Sequence, residues 1–145
     1  YLLKEEVVRA LNSKDGYALQ YASKNNYQLF IITGGYSEDL KKRLIDLGIN
    51  DVFLRSNNKI EVYNGIKEKY GIEDKQVLYM GDDIPDIPVL KVAGVSCCPQ
   101  DAAIDVKQVV DYHSPLEGGK GCVREVIEQT LRVQGKWLNA SAFQW

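Results

Sequence analysis

The stretch Val77-Leu78-Tyr79-Met80-Gly81-Asp82-Asp83 decides the fold class, because an apolar run leads directly into an acidic turn. Such a run, ended by glycine, is typical of a short strand that is buried on both faces of a parallel sheet. A second stretch, Leu29-Phe30-Ile31-Ile32-Thr33-Gly34-Gly35, has the same design with a hydroxyl in place of the carboxylates. Both stretches therefore predict buried strands with polar residues at their carboxyl ends.

Segments of helical and strand character alternate along the rest of the chain. Capping residues and apolar spacing predict helices over Tyr17 to Lys24, Ser37 to Leu47 and Pro85 to Val92, and two more marked by Val62 to Tyr70 and Val123 to Leu131. Further strands are predicted at Val52 to Leu54 and Val95 to Cys98. This alternation predicts an α/β protein with a mainly parallel sheet, helices on both faces and a ligand site beyond the carboxyl ends of the strands.

Composition narrows the class of protein. The chain has 145 residues, of which 45% are hydrophobic and 26% charged, which fits one globular domain over residues 1–145. Eighteen basic and twenty acidic side chains leave no strong positive charge for nucleic acid. No apolar run approaches the roughly 20 residues that span a membrane, and no secretory signal is recognisable at the start, so we expect a cytoplasmic protein. Cys97, Cys98 and Cys122 form no metal-binding pattern and are expected to be buried.

Three successive strand-end loops carry groups that a phosphoryl group requires. Thr33 with Gly34 offers a hydroxyl and backbone amides, Lys59 offers an ammonium, and Gly81-Asp82-Asp83 offers carboxylates for a divalent metal. Each signal has an ordinary structural alternative: a strand-end threonine, a solvated lysine at a helix start, and aspartates that cap the following helix. Their coincidence at one sheet edge favours phosphoryl chemistry.

The order of these motifs resembles the haloacid dehalogenase superfamily and, within it, the capless 3-deoxy-D-manno-octulosonate 8-phosphate (KDO 8-phosphate) phosphatases. Five stretches, together with Lys59, carry the resemblance: 12–16, 31–34, 80–86, 118–125 and 134–137. The resemblance implies a three-layer Rossmann-like fold without a cap domain. It also implies a Mg²⁺-dependent phosphatase that forms an aspartyl-phosphate intermediate.

The resemblance assigns roles to particular residues. Thr33, Lys59 and Asp82 are the expected catalytic residues, Asp82 and Asp83 the expected Mg²⁺ site, and Gly34 an additional phosphoryl donor. The expected substrate-binding residues are Asn12, Ser13, Lys14, Asp15, Gly16, Gly34, Arg43 and Lys59. Gln20 and Gly35 depart from the family, since many members carry arginine at both positions.

The family's nucleophile is the first aspartate of an Asp-x-Asp on the first strand, and this motif is missing from the printed sequence near its amino end. We therefore expect a further central strand ahead of Tyr1. A sheet without that strand would leave unpaired backbone groups on two interior strands.

The expected activity is hydrolysis of KDO 8-phosphate to KDO and phosphate, a step in lipopolysaccharide precursor synthesis. Two alternatives remain: a phosphatase for a related nonulosonate 9-phosphate, and a non-catalytic oligomerisation domain of the kind joined to sialic-acid cytidylyltransferases. A response-regulator receiver is excluded, because its acidic cluster precedes its lysine. Family members are typically homotetramers, and a tail containing Trp137, Phe143 and Trp145 is expected near a neighbouring active site.

Overall fold

The structure, a computed structural model, describes residues 2–3, 6–7 and 10–145. The strands within these described ranges form three small groups. β1 (Leu2–Leu3) pairs antiparallel with β2 (Glu6–Val7), and β3 (Phe30–Ile32) pairs parallel with β4 (Asp51–Phe53). β5 (Leu78–Met80), β6 (Val95–Cys98) and β7 (Tyr112–His113) form a parallel sheet in that order. The predicted α/β class with mainly parallel pairing is confirmed.

Six α-helices of the described residues connect and cover these strands: α1 (Ser13–Lys24), α2 (Glu38–Asp46), α3 (Lys59–Tyr70), α4 (Ile87–Leu90), α5 (Ile104–Lys107) and α6 (Cys122–Val133). Short 3₁₀ turns lie at Asp74–Gln76, Ile84–Asp86 and Ala140–Phe143. Within the described part of the chain, no helix is long and apolar enough to cross a bilayer.

Local signals explain where most helices begin and end. The Ser37 side chain accepts a hydrogen bond from the Leu40 amide at the start of α2, and Gly48 follows α2 with a φ of 101°. Gly71 ends α3 in the left-handed conformation, as glycine readily does. The first helix begins earlier than the predicted Tyr17, because the Asn12 side chain caps it by accepting from the amides of Lys14 and Asp15.

The predicted helix over Pro85 to Val92 is present but shorter than expected. A 3₁₀ turn at Ile84–Asp86 is followed by the short helix α4. Pro85 and Pro88 each lack a backbone N–H, which limits regular helical hydrogen bonding in this segment. The turn also carries the Asp86 side chain into the interior, where it is 2% exposed.

The buried core lies in separate clusters between helices and strands. Leu19, Leu44, Ile49 and Val52 form one cluster, and Leu90, Cys98, Ala102 and Val106 form another. A third joins Tyr21 of α1 to Leu131 of α6. The prediction that Cys97, Cys98 and Cys122 are buried is confirmed.

The parallel strands are divided between two sheets that do not pair with each other in the described residues. β3 lies at the end of one sheet and β5 at the end of the other. Between them is a cleft of about 780 Å³, lined by both strands and by residues of α3 and α6 such as Ile66 and Ile127. The edge at which the strand-end loops meet is therefore split by this cleft.

Candidate active site

A buried ion pair joins the two sheets at their carboxyl edge. The Lys59 ammonium lies 2.8 Å from Oδ1 of Asp86, with side-chain exposures of 16% and 3%. Lys59 is the first residue of α3, after β4, whereas Asp86 ends the 3₁₀ turn after β5. The structure therefore brings the predicted lysine to the acidic loop, and the contact crosses from one sheet to the other.

The Asp86 carboxylate organises the loop that precedes it. In addition to Lys59, Oδ1 accepts a hydrogen bond from the Tyr79 hydroxyl at 2.9 Å. Oδ2 accepts from the backbone amides of Asp82 at 3.1 Å and Asp83 at 3.3 Å. These donors satisfy a buried charge that would otherwise be costly.

Gly81 makes this packing possible. A Cβ at this position would lie 2.4 Å from Cβ of Asp86 and 2.6 Å from its Cγ, so no larger residue fits without displacement. The glycine of the Gly-Asp-Asp stretch is therefore required by the close approach of a buried carboxylate.

Asp82 and Asp83 lie on the exposed side of the same loop, but their carboxylates have different surroundings. Oδ1 of Asp83 accepts from the Ile84 amide at 2.8 Å and so caps the 3₁₀ turn. The Asp82 carboxylate makes no hydrogen bond to another residue in the described ranges. Partial desolvation, followed by the negative charge of Asp86, raises the pKa of the Asp82 carboxyl. A divalent cation would offset this cost.

The donor set is suitable for Mg²⁺ only if other oxygens contribute. The residues described contain no group of three or more histidine, cysteine or acidic side chains that could hold a metal ion together. Mg²⁺ commonly binds one or two carboxylates and keeps water and substrate phosphate as its remaining ligands. An exposed Asp82 carboxylate in an all-oxygen loop meets that requirement.

Thr33 lies on the other side of the cleft, in the loop after β3. Its backbone N–H donates to the Phe53 carbonyl at 2.9 Å, and its carbonyl accepts from the Ser56 amide at 2.9 Å. Its hydroxyl oxygen accepts from the Gly35 amide at 3.1 Å. These bonds connect the Thr33 loop to the segment that leads into Lys59, so both loops hold one relative position.

The stretch predicted to bind substrate, residues 12–16, is the start of α1. Ser13 and Lys14 are exposed, whereas Asp15 is 3% exposed and its Oδ1 accepts from the Arg124 amide at 2.8 Å. Nδ2 of Asn12 donates to the Gly119 carbonyl at 3.3 Å. The stretch is thus fastened to the 118–121 loop and to α6, and Asp15 holds α6 in place. Gly16 is buried beside it.

Arg43 is not brought to this group of residues. It lies in the last turn of α2 with an exposed side chain, and within the described residues no hydrogen bond or ion pair joins its side chain to Lys59 or the acidic loop. A helix that starts at the carboxyl edge has by its last turn moved roughly 8 Å towards the opposite edge, at about 1.5 Å per residue.

The carboxyl-terminal segment packs on its own chain. The Trp137 ring lies edge to face on Tyr21 with a centroid distance of 5.2 Å, and Trp145 lies 5.7 Å from Tyr17. Phe143, by contrast, is 81% exposed. The segment therefore covers part of α1 and leaves several large apolar side chains mostly exposed, with Leu138 at 56% and Trp145 at 69% besides Phe143.

Sequence reasoning did not single out Tyr79 as a functional residue. A signal was nevertheless present, because its hydroxyl is the only hydroxyl among the side chains of residues 77–80. A tyrosine hydroxyl that enters the interior usually finds a hydrogen-bond partner. Identifying Asp86 as that partner requires the fold.

The chain is similar to known proteins over most of its length. The sequence profile of the haloacid dehalogenase-like hydrolases matches residues 4–94. The chain is 35% identical to 3-deoxy-D-manno-octulosonate 8-phosphate phosphatase KdsC of Salmonella typhi over 131 residues, which are 90% of this chain and 70% of that protein. Among solved structures, the corresponding phosphatase of Yersinia pestis superposes with a TM-score of 0.90 at 31% identity, over 94% of this chain and 74% of that one. The phosphatase of Moraxella catarrhalis, in complex with magnesium, phosphate and KDO, also gives a TM-score of 0.90 at 31% identity, over 94% and 79% of the two chains.

Proposed function

The chain belongs to the haloacid dehalogenase-like hydrolases, and from this premise we propose that it is a phosphatase that hydrolyses KDO 8-phosphate to KDO and phosphate. The observation that carries the proposal is the buried Lys59–Asp86 pair, which holds an ammonium beside an acidic loop at the carboxyl edge of the strands. A KDO 8-phosphate phosphatase is similar to this chain over nine tenths of its length, which supports the choice of substrate. The reaction would serve lipopolysaccharide precursor synthesis.

Mg²⁺ fits the acidic loop. Asp82 would bind the ion directly, and Asp83 would contribute through its position in the capped turn. When bound, Mg²⁺ supplies Lewis-acid charge neutralisation to the phosphoryl oxygens. The magnesium and phosphate in the Moraxella catarrhalis structure support this assignment.

Three groups of the chain itself would bind the phosphoryl group. The Thr33 hydroxyl can donate to one oxygen, because its own oxygen already accepts from Gly35. The Gly34 amide can donate to a second oxygen, and Lys59 retains ammonium hydrogens beyond the one directed at Asp86. Charge-assisted donors of this kind stabilise a phosphoryl dianion and the further charge that develops in the transition state.

The attacking carboxylate is proposed to come from a further strand that fills the cleft between β3 and β5. Two sheet-end strands face this cleft, and its walls carry apolar side chains from β3, β5, α3 and α6. A parallel strand inserted there would pair on both sides and bring an Asp-x-Asp to the edge occupied by Thr33, Lys59 and Asp82.

The two aspartates of such a strand would support hydrolysis in two steps. A carboxylate oxygen of the first aspartate forms a bond to phosphorus as the bond from phosphorus to the ester oxygen breaks. The second acid gives its proton to the departing alkoxide. Water then loses a proton to that second carboxylate and attacks phosphorus in the acyl phosphate, which releases phosphate and restores both aspartates.

The cleft proposal has a direct test. A polypeptide in which a strand bearing Asp-x-Asp precedes Tyr1 should resist urea better than residues 1–145 alone, and it should release phosphate. The matched control carries Asn-x-Asn in the same strand and should keep the added stability without turnover. Equal urea midpoints with and without the strand would contradict the placement in the cleft.

We propose that the start of α1 binds the sugar-acid part of the substrate. Asn12, Ser13 and Lys14 can meet hydroxyls and the carboxylate of the substrate, whereas Asp15 and Gly16 maintain the loop by their burial. Arg43 and the exposed Phe143 would act in a homotetramer, in which a neighbouring copy closes the site. Sedimentation of the wild type and of Phe143→Ser tests this assembly, and a monomeric wild type would contradict it.

Three unpaired buried thiols fit a reducing cytoplasm.

The decisive experiment measures phosphate release from KDO 8-phosphate by the polypeptide that carries the nucleophile strand. Turnover should require Mg²⁺, and Asp82→Asn should abolish it. Asp46→Asn, an exposed substitution on α2, should leave the rate unchanged. A nonulosonate 9-phosphate serves as the comparison substrate, and a higher kcat/KM for it would replace KDO 8-phosphate in the proposal. Full activity of Asp82→Asn would contradict the metal assignment.

A further inference from the structure

Tyr79, which lies within strand β5, contacts the carboxylate that pairs with the proposed catalytic lysine. Its hydroxyl donates to Oδ1 of Asp86 at 2.9 Å, and the Lys59 ammonium lies 2.8 Å from the same oxygen. Its ring packs edge to face against Tyr63 of α3 with a centroid distance of 6.3 Å. Tyr79 therefore contacts both the carboxylate that pairs with Lys59 and the helix that begins with Lys59.

The hydrogen bonds around Asp86 leave this carboxylate no freedom to rotate. Each oxygen accepts two donors: Lys59 and Tyr79 on Oδ1, and the amides of Asp82 and Asp83 on Oδ2. A carboxylate offers about four acceptor positions, so all are used. Loss of the Tyr79 hydroxyl would leave Oδ1 with the ammonium alone, and the carboxylate could then turn towards Lys59.

The position of the Lys59 ammonium depends on this balance. A lysine has a flexible stem and three equivalent donors, so its direction is set by its partners. When Oδ1 is shared with a phenol, the ammonium is held by one bond and its other hydrogens remain for a phosphoryl oxygen. Burial, and then the charge of Asp86, raise the pKa of Tyr79, so the hydroxyl remains a donor at neutral pH.

We propose that Tyr79 is a positioning residue, whose hydroxyl holds Asp86 in the orientation that directs Lys59 at the phosphoryl group and keeps the amides of the acidic loop in register. This inference rests on the proposed phosphatase function. It assigns to Tyr79 no contact with substrate.

Tyr79→Phe tests the proposal, and Tyr63→Phe is its matched control. The Tyr63 hydroxyl also donates to an aspartate, Asp74, at 2.7 Å, but that carboxylate lies outside the candidate site. We expect Tyr79→Phe to lower kcat about tenfold and to leave KM within about twofold of wild type. The reason is that stabilisation of the transition state depends most on the direction of the Lys59 ammonium. Tyr63→Phe should leave kcat within about twofold. Equal kcat values for the two variants would overturn the proposal.

A double-mutant cycle separates action through Lys59 from a general structural effect. In a Lys59→Arg background, Tyr79→Phe should lower kcat by less than about twofold, since the group that it positions has already been replaced. Multiplication of the two single effects would show that Tyr79 does not act through Lys59. Urea unfolding of the two tyrosine variants is expected to show similar losses in the free energy of unfolding. That result would exclude lower stability as the cause of the lower kcat of Tyr79→Phe.

A spectroscopic measurement distinguishes failure of this inference from failure of the proposed function. In protein labelled with ¹⁵N-lysine, the Lys59 ammonium signal is identified by its loss in Lys59→Arg. It should broaden or shift in Tyr79→Phe and stay in place in Tyr63→Phe. An unmoved signal would refute the positioning role even in an active enzyme. A moved signal in a protein without phosphatase activity would uphold the contact and reject the function.

Discussion

Replacing Asp82 by asparagine should stabilise the protein in the absence of Mg²⁺ and remove its stabilisation by Mg²⁺. Desolvation and the charge of Asp86 raise the pKa of Asp82 in the folded state. The ionised carboxylate therefore opposes folding at neutral pH, and this penalty disappears as the pH falls below its unfolded pKa of about 3.9. Asparagine removes the charge and retains nearly the same shape.

The expected magnitudes differ between the two conditions. Because Asp82 is largely exposed, solvent screening limits the gain without metal to about 0.5 kcal/mol, which is about 1 to 2 °C in Tm for a chain of this size. A bound cation stabilises the folded state by about 2.7 kcal/mol at one hundred times its Kd. Wild type should therefore gain about 8 °C from Mg²⁺, whereas Asp82→Asn should gain almost nothing.

The assay is thermal unfolding at pH 7 and pH 3, with and without Mg²⁺. The variant should be the more stable protein in EDTA at pH 7, the less stable one with Mg²⁺, and equal to wild type at pH 3. Asp46→Asn controls for the removal of an exposed charge elsewhere and should respond to Mg²⁺ as wild type does. A variant less stable than wild type in EDTA would refute the reasoning, because the carboxylate would then make a favourable contact. If Mg²⁺ raised the Tm of Asp82→Asn as much as that of wild type, the ion would not bind at Asp82.

Further substitutions test the packing beside the site and an ion pair that lies outside it. Gly81→Ala should lower the free energy of unfolding by about 2 kcal/mol and reduce kcat, because the added Cβ collides with Asp86. Gly65→Ala is the control: it lies in open space within α3 and should raise the free energy of unfolding by about 0.5 to 1 kcal/mol. Urea denaturation measures both changes. Asp74→Asn should destabilise at pH 7, since a hydrogen bond from Lys67 lowers the pKa of Asp74. That difference should vanish as the pH falls through the folded pKa, below about 3.9, and a difference that persists at pH 2 would contradict the ion-pair explanation.

The parts of the fold that were predictable from sequence are those with local causes. The strand at Phe30–Ile32 follows from an apolar run, the start of α2 from the Ser37 side chain, and the end of α3 from Gly71. Each depends on residues within a few positions of one another. The location of the candidate site was also predictable, because residues that follow parallel strands share one edge of a sheet.

The parts that could not be predicted depend on partners distant in sequence. The role of Asp15 requires the amide of Arg124, which is 109 residues away. The four donors around Asp86 come from α3, β5 and its own loop. Arg55 has a φ of 53° and lies over the ring of Tyr36, a left-handed conformation that an arginine does not indicate in sequence. Sequence patterns specify elements, whereas these contacts depend on how the elements pack.

The position of the Lys59–Asp86 pair couples assembly of the sheet to assembly of the site. Lys59 follows the sheet that contains β3, and Asp86 follows the sheet that contains β5, so the length of their contact depends on the spacing between the two sheets. The proposed strand in the cleft would set that spacing through its own pairing and would also carry the nucleophile. The strand would then place the attacking carboxylate and align the ammonium that neutralises it in one folding step. A phosphatase built in this way avoids a folded state in which the nucleophile is present but its electrostatic partners are out of position, since preorganised charge is the larger part of such catalysis.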